Sequence, residues 1–403
     1  MHELSWFGLI VFGVAAAGLA AIGTARVAER IRVPAGAFFL IGAAAASDIF
    51  PSLGGLSTRS VERIASVALA VILFDGGLRS GWRRVRRAWI PVVSLGLLGT
   101  FITAGLIALA ARYALGFSWT TAGLIGAAVA PTDPAIMFSV LGRWEIGGRT
   151  GTILEGESGA NDPVGIALML VLVDYAAGSG SLVDGTLGFV LSLVIGLGAG
   201  VAAGAIFHPL IVRFPLVDQS LGPLRTLTFA LLVFGAASAC HGSGFLAVYV
   251  AGLLIADHEY PGHRATERFH TSLASLAEVV VFVALGLTVD LGFVFSHHIW
   301  LDGILLTLFA VLVARPLATL PLLVPVNTTT REAAFVVWAG LKGAVPILLA
   351  SFALARDVPD ADRIYAIVFV VVCLSVTLQA ATIPGVARRL GIPLEPVEDE
   401  QWA

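Results

Sequence analysis

Between Gly151 and Leu170 the sequence reads GTILEGESGANDPVGIALML, which sets Glu155, Glu157 and Asp162 in a stretch otherwise apolar enough to cross a bilayer. A carboxylate at the centre of a membrane helix costs roughly 2.5–3.5 kcal/mol on insertion scales, so acids in such segments mark ion or proton pathways by default. On a helix, Glu157 and Asn161 share a face, as do Ser158 and Asp162, and Asp162 follows about 100° round the axis from Asn161. Pro163 removes a backbone donor and frees a carbonyl nearby. A second polar interruption, Ala130-Pro131-Thr132-Asp133-Pro134, breaks the preceding apolar segment. Carboxylates, a hydroxyl and freed carbonyls are hard oxygen ligands, suited to a small cation or a proton. The competing reading puts these acids in short loops at the membrane surface.

The elements that must position these groups follow from composition. The chain has 403 residues, 58% hydrophobic and 13% charged, with a mean hydropathy of +0.93. That is an all-α polytopic membrane protein, with no polar run long enough to fold as a separate soluble domain. Thirteen spans are expected, near 4–24, 33–51, 62–78, 88–111, 118–141, 152–173, 184–211, 223–241, 243–257, 271–289, 296–324, 333–355 and 363–387. The first has no basic start and is long enough to span, so it reads as a membrane helix rather than a cleaved signal. His241 to Gly244 form a tight turn, and the shortest helices are tilted or re-entrant. Cys240 and Cys373 lie in apolar stretches without metal-ligand spacing and read as buried thiols.

The arginines give an orientation. With the amino terminus outside and loops alternating, 17 arginines fall on the inner side: 26, 30, 32, 79, 83, 84, 86, 87, 143, 149, 213, 225, 264, 268, 331, 388 and 389. Five fall outside: Arg59, Arg63, Arg112, Arg356 and Arg363. The asymmetry obeys the positive-inside rule and puts the carboxyl terminus, with a short tail over 388–403, in the cytoplasm. The run RSGWRRVRR is then a topology-fixing loop against anionic headgroups rather than a nucleic-acid patch. Arg315 and Lys342 remain inside spans, and Lys342 is the only lysine in the chain.

The fifth span (GAAVAPTDPAI) and the twelfth (AGLKGAVPILL) are interrupted by proline and glycine. With span seven as a linker they occupy corresponding places in two sets of six, of opposite orientation. Broken helices in corresponding positions of an inverted repeat point to a transporter's midplane site. At such a crossing Asp133 compensates amino-terminal helix dipoles and Lys342 carboxy-terminal ones. The plainer alternative is two kinked helices.

At these residues the chain resembles bacterial cation:proton antiporters of the NhaP type, within the monovalent cation:proton antiporter superfamily that includes the sodium/proton exchangers. The matching elements are ILFDGGL (72–78), APTDPAI (130–136), EGESGANDP (155–163), ARPL (314–317) and GLKGAVPI (340–347), in register across nearly the whole chain. The resemblance implies one transporter domain with no enzymatic chemistry and no cofactor. Core helices would lie over about 88–173 and 296–387, and scaffold and dimerisation helices over about 4–78 and 184–289. It implies that Asp162 alternately binds cation and proton. Thr132, Asp133 and Ser158 would complete the site, Thr132 through its backbone, with Asp75 contributing directly or through water. Glu157 would pair with Arg315, and Asn161 would join that network without titrating. Asn before the Asp resembles the electroneutral exchangers. Expected partners are Na⁺, K⁺ or Li⁺ with H⁺, the lipid of a bacterial-type plasma membrane, and a second copy of the chain.

Asp75 stands where sodium-transporting relatives often carry Glu, and Lys342 where many carry Arg, which leaves the choice of ion open. The wording GESGANDP and GLKGAVPI resembles the potassium-leaning branch as much as the sodium branch. That branch often has a soluble domain after the last span, whereas this sequence ends within about fifteen residues of it. Asp48, Asp257 and Asp290 read as interfacial. Glu278 lies inside a span, either functional or merely pore-facing. His258, His263 and His270 are assigned to a cytoplasmic loop, and His241 to a turn with pH sensing as the alternative. A cation channel, a sodium-coupled transporter of an organic substrate and a membrane enzyme are the rival classes. The crossing has few polar or aromatic groups for an organic substrate, and no Ser/His/Asp or metal constellation stands out.

Overall fold

Serine and threonine set where many of the helices begin. In a computed structural model describing Gly23 and residues 33–50, 57–141, 144–216, 218–258, 260, 262–326 and 328–396, Ser57, Ser118, Ser181 and Ser243 each accept a backbone N–H in the first turn of the helix they precede. Each bond satisfies one of the donors a helix start leaves orphaned. Thr329 and Glu332 close a reciprocal capping box. Its hydrogen bonds from Thr329 hold the Glu332 carboxyl below its ordinary range.

In chain order the helices are α1 (Ala35–Ile49), α2 (Thr58–Ser80), α3 (Trp82–Arg87) and α4 (Trp89–Ala114). There follow α5 (Trp119–Val129), α6 (Pro134–Leu141), α7 (Gly148–Ala176), α8 (Leu182–Arg213), α9 (Gly222–Ala239) and α10 (Gly244–Ala256). The last are α11 (His263–Gly286), α12 (Leu291–Ser296), α13 (Ile299–Val326), α14 (Thr330–Trp338), α15 (Ala344–Ala355) and α16 (Ala361–Leu390). Among the described residues seven helices are long and apolar enough to cross a membrane: α4, α7, most of α8, α9, α11, α13 and α16. Every expected span from 33–51 onward falls on a helix or on two half-helices, and the first lies outside the described residues apart from Gly23.

The 118–141 and 333–355 segments are the broken ones: α5 stops at Val129 and α6 starts at Pro134, while α14 stops at Trp338 and α15 starts at Ala344. α7 by contrast runs unbroken through Pro163. Three long helices carry a π-helical segment, at Ser94–Gly99 in α4, Ala310–Ala314 in α13 and Ser375–Gln379 in α16. Such widened turns shift a helix face by about one residue and are frequent where function needs side chains re-aimed.

Packing sorts the helices into two groups. α2 lies against α10 and α11, α10 against α8 and α9, and α11 against α1. The half-helices pack with α4, α7, α13 and α16. α7 joins the groups through α2, α8 and α10, and α15 joins them through α2 and α11. At the α2–α10 contact Gly77 and Gly252 let the backbones touch, since a Cβ on Gly77 would come within 2.4 Å of the Tyr249 carbonyl.

Cys240, expected to be a buried thiol, is exposed and Cys373 only partly buried, and two further features depart from the sequence-based expectation. The chain is not purely helical: β1 (Trp144–Ile146) pairs antiparallel with β2 (Leu394–Pro396), so part of the expected free tail is tied to the approach to α7. Gly147 N–H also donates to the Pro393 carbonyl at 3.1 Å. His263 and His270 are not on a loop but on α11, where His270 is fully buried, its Nε2 3.1 Å from Thr226 Oγ1. An amphipathic helix begins at the residues read as a loop, because Gly262, at φ 80°, makes the turn. His241, also at positive φ (59°), sits in the α9–α10 turn as expected.

Candidate ion-binding site

The two helix breaks cross and hold each other. Asp133 N–H donates to the Leu341 carbonyl at 2.8 Å, joining one unwound segment to the other. Lys342, 3% exposed, sends Nζ to the carbonyls of Ala130 (2.9 Å) and Pro131 (3.1 Å). These are the carbonyls that the end of α5 leaves without helical donors. Asp133 packs its carboxylate over Gly343, the residue before α15, so closely that a Cβ there would overlap Asp133 Oδ2. A carboxylate thus faces a helix start and an ammonium a helix end, the arrangement in which each charge is favoured.

α7 supplies the next layer. Ser158 Oγ donates to the Thr132 carbonyl at 2.7 Å, and Asn161 Nδ2 donates to Thr132 Oγ1 at 2.8 Å. Thr132, Ser158, Asn161 and Asp162 are all buried. Asp162 is 5% exposed, with Asp133 and Lys342 as the charges acting on it. Two acceptor oxygens, Asp162 Oδ1 and Asn161 Oδ1, have no hydrogen-bond partner among the described residues. Buried polar atoms are paired in the great majority of cases, so two adjacent orphans at a helix crossing call for a ligand, a water or a proton.

Glu157, on the Asn161 face of α7, meets Arg315 in a two-pronged contact: Nη1 with Oε1, and Nη2 to Oε2 at 2.9 Å. Arg315 Nη2 also donates to the Val336 carbonyl at 3.2 Å, near the end of α14. Arg315 follows directly on the π segment of α13. Glycine at 340 admits it, because a Cβ there would sit 2.4 Å from Nε.

Asp75 is elsewhere. It is 2% exposed on α2, bridged to Arg79 Nε at 3.1 Å and accepting from Thr271 Oγ1 at 3.1 Å. The cavity that reaches Asp162 is lined by its helix neighbours Leu73, Gly76, Arg79 and Ser80 rather than by Asp75 itself. The structure therefore gathers Thr132, Asp133, Ser158, Asn161, Asp162 and Lys342 at the crossing, with the Glu157–Arg315 pair beside them, and leaves Asp75 in a separate contact.

Two residues of the network carry almost no signal in the sequence. Ser375 Oγ accepts the Lys342 backbone N–H at 2.8 Å and donates to Gln379 Oε1 at 3.0 Å. Gln379 Nε2 then donates to the Trp338 carbonyl at 2.8 Å, at the end of α14. Both stand at the ends of the π segment of α16. Only their polarity within the apolar run VVVCLSVTLQAA sets them apart.

Known proteins share this arrangement of helices. The solved structure of the sodium proton antiporter MjNhaP1 from Methanocaldococcus jannaschii at pH 8 superposes with a TM-score of 0.74, covering 92% of this chain and 99% of that one at 23% identity, and so shares its fold. The K(+)/H(+) antiporter NhaP of Alkalimonas amylolytica is 34% identical over 385 residues, 93% of this chain. The K(+)/H(+) antiporter NhaP2 of Shewanella oneidensis is 31% identical over 337 residues, 83% of this chain. The chain spans 66% and 58% of the lengths of those two relatives. The sequence model of the family described as sodium/hydrogen exchanger, transmembrane, matches residues 16–389, and the chain belongs to that family.

Proposed function

We propose that the chain is a secondary-active antiporter exchanging a monovalent cation, Na⁺ or K⁺, for a proton at Asp162. The observation that carries this reading is the pair of buried, unpartnered oxygens, Asp162 Oδ1 and Asn161 Oδ1, at the crossing of two broken helices. A cation at Asp162 would take oxygens from Asp162 and Asn161, with Thr132 and Ser158 setting their positions; a proton on Asp162 would satisfy the same carboxylate. One site that holds either but is costly to leave charged and empty couples the two fluxes without a further device. The names of the relatives, which include potassium and sodium antiporters, agree with this class. The test is exchange by purified protein in liposomes holding a pH-sensitive dye. Addition of Na⁺, K⁺ or Li⁺ is expected to move protons against the cation, and conductance without proton movement would make it a channel.

Exchange is expected to be electroneutral. Asn161 does not titrate, and Glu157 is held by Arg315, so Asp162 carries one cation or one proton with the surrounding charge constant. A membrane potential then does no work on the cycle, whereas one net charge would be worth about 2.3 kcal/mol per 100 mV. Imposing a potential with valinomycin and potassium gradients on Na⁺-driven liposomes checks this. A rate or end-point that follows the potential means that a second group, Lys342 or Asp133, also releases a proton.

The same proposal includes the architecture of transport. It has thirteen spans in an inverted repeat, the amino terminus outside and the carboxyl terminus in the cytoplasm of a bacterial-type cell. The π segments of α4 and α13, the helices immediately before the two broken ones, support the repeat. α4–α7 and α13–α16 would move against the other helices, which face lipid and a second copy of the chain. Cross-linking of single-cysteine variants on α8, whose Leu187, Leu191 and Val194 are exposed, tests the dimer.

A further inference from the structure

We propose that α3, the short helix joining α2 to α4, docks on anionic phospholipid headgroups of the inner leaflet, and that this contact raises the exchange rate by holding the joint between the two helix groups at the membrane surface. The effect on exchange rests on the antiport reading; the docking does not. Arg83, Arg84, Arg86 and Arg87 of α3 are all exposed, and none of their side chains has a hydrogen bond or ion pair among the described residues. Other exposed arginines are engaged, Arg356 by Asp174 and Arg363 by Asp302, both at 2.8 Å. Arg83 and Arg87 stand one turn apart, as do Arg84 and Arg87, and like charges so spaced weaken a helix. Four unanswered charges on so short a helix call for an anion from outside the chain. Trp82 and Trp89, both exposed, flank them, and Trp89 opens the span of α4 with Ile90 and Val93 exposed beside it. Tryptophan favours the level of lipid headgroups, which sets the arginines at that level too.

The helix is placed to pass on what it binds. Gly81, at φ 66°, sets it off from α2, and Ala88, at φ −121° and ψ 25°, sets it off from α4. Its Val85 is buried, and α3 packs on α7 and α10. The Arg83 N–H donates to Asp257 Oδ2 at 2.9 Å, which ties the start of α3 to the end of α10. Beyond Ala88, Val92 of α4 packs on Gly156 of α7, where a Cβ would come within 2.4 Å of Val92 Cγ2. A Cβ on Gly96 would likewise come within 2.5 Å of Ala160, the residue before Asn161. A headgroup layer that fixes α3 therefore fixes where α4 meets the stretch of α7 carrying Asn161 and Asp162. Phospholipid fits better than a soluble anion, because the flanking tryptophans and the apolar start of α4 put these charges in the membrane surface.

Docking is read by thermal unfolding of purified protein in neutral detergent with phosphatidylglycerol, phosphatidylcholine or inorganic phosphate added. Phosphatidylglycerol alone is expected to raise the midpoint; no rise, or an equal rise with inorganic phosphate, overturns the lipid assignment. Each arginine near an anionic surface is worth about fivefold in affinity. Arg83→Gln with Arg84→Gln, and Arg86→Gln with Arg87→Gln, should therefore each raise the phosphatidylglycerol needed for half the effect by about tenfold or more. Each pair leaves two arginines to orient the chain on insertion, and an unchanged requirement in both overturns the docking. Exchange is then measured in vesicles of phosphatidylcholine alone and of an equal mixture with phosphatidylglycerol. The mixture should raise the maximal rate several-fold in wild type and much less in either paired variant. Accumulation of cations at an anionic surface lowers the half-saturating concentration in wild type and variants alike, so the maximal rate is the deciding readout. Replacing all four arginines by lysine should keep most of the stimulation, because the attraction needs charge. Equal stimulation of wild type and variants overturns the effect on exchange. Arginine-dependent stabilisation by phosphatidylglycerol in a protein that exchanges nothing would uphold the docking while sinking the antiport reading, so the two fail separately.

Discussion

Replacing Asp162 by Asn is expected to bring cation-driven proton movement down to the level of protein-free liposomes while leaving the protein at least as stable as the wild type. The two halves of that expectation share a cause. Asp162 is 5% exposed, has Asp133 as a like charge acting on it, and leaves Oδ1 without a hydrogen-bond partner among the described residues. A carboxylate so placed destabilises the folded protein unless a cation or proton is present. The isosteric amide keeps the packing but removes the charge, and with it the means of holding either ion in turn. Thermal unfolding of the purified variant and liposome exchange measured on the same preparation check both. Loss of exchange with loss of fold would make Asp162 a structural residue, and robust exchange in a folded variant would remove it from the mechanism.

What could be read in the sequence was the chemistry that burial forces. The Glu157–Arg315 pairing was an implication of the resemblance to the antiporter family, and burial agrees with it, since a segment as apolar as the one around Glu157 is a costly place for a lone carboxylate. The same logic placed Lys342 at a helix end, where its Nζ reaches the Ala130 and Pro131 carbonyls. Periodicity located the helices, because apolar runs separated by Gly, Pro and Arg are the main signal a membrane chain gives. Asp75 illustrates a local rule passed over: Arg79 stands four residues on, the spacing of a helical ion pair, and it takes the carboxylate. Ser375 and Gln379 were hidden for another reason. Their partners, the Lys342 amide and the Trp338 carbonyl, are backbone atoms freed by a helix break, and nothing in a single sequence says which distant side chain meets them. The β1–β2 pairing is similarly out of reach, since three-residue strands about 250 residues apart carry no periodicity.

Arg315→Ala is expected to destabilise the protein well beyond the roughly 1 kcal/mol of an average point substitution, and Glu157→Ala in the same chain should restore part of the loss. Arg315 is 6% exposed and Glu157 1%, and their fork-to-fork contact is the geometry in which a guanidinium satisfies both carboxylate oxygens. Removing the arginine leaves Glu157 buried without its partner, and breaking such a buried pair costs about 3–5 kcal/mol. The double variant deletes that stranded carboxyl, but recovery is partial because Arg315 also serves the Val336 carbonyl at 3.2 Å and fills the space against Gly340. Arg315→Lys should fall between wild type and Arg315→Ala, since an ammonium keeps the charge but has no fork to reach both oxygens and the carbonyl. The measurement is the temperature at which purified protein loses its monodisperse elution peak, for wild type, both single variants, the double variant and Arg315→Lys. A double variant no more stable than Arg315→Ala would mean that the pair does not stabilise the fold, and the arginine's worth would lie in the α14 carbonyl alone.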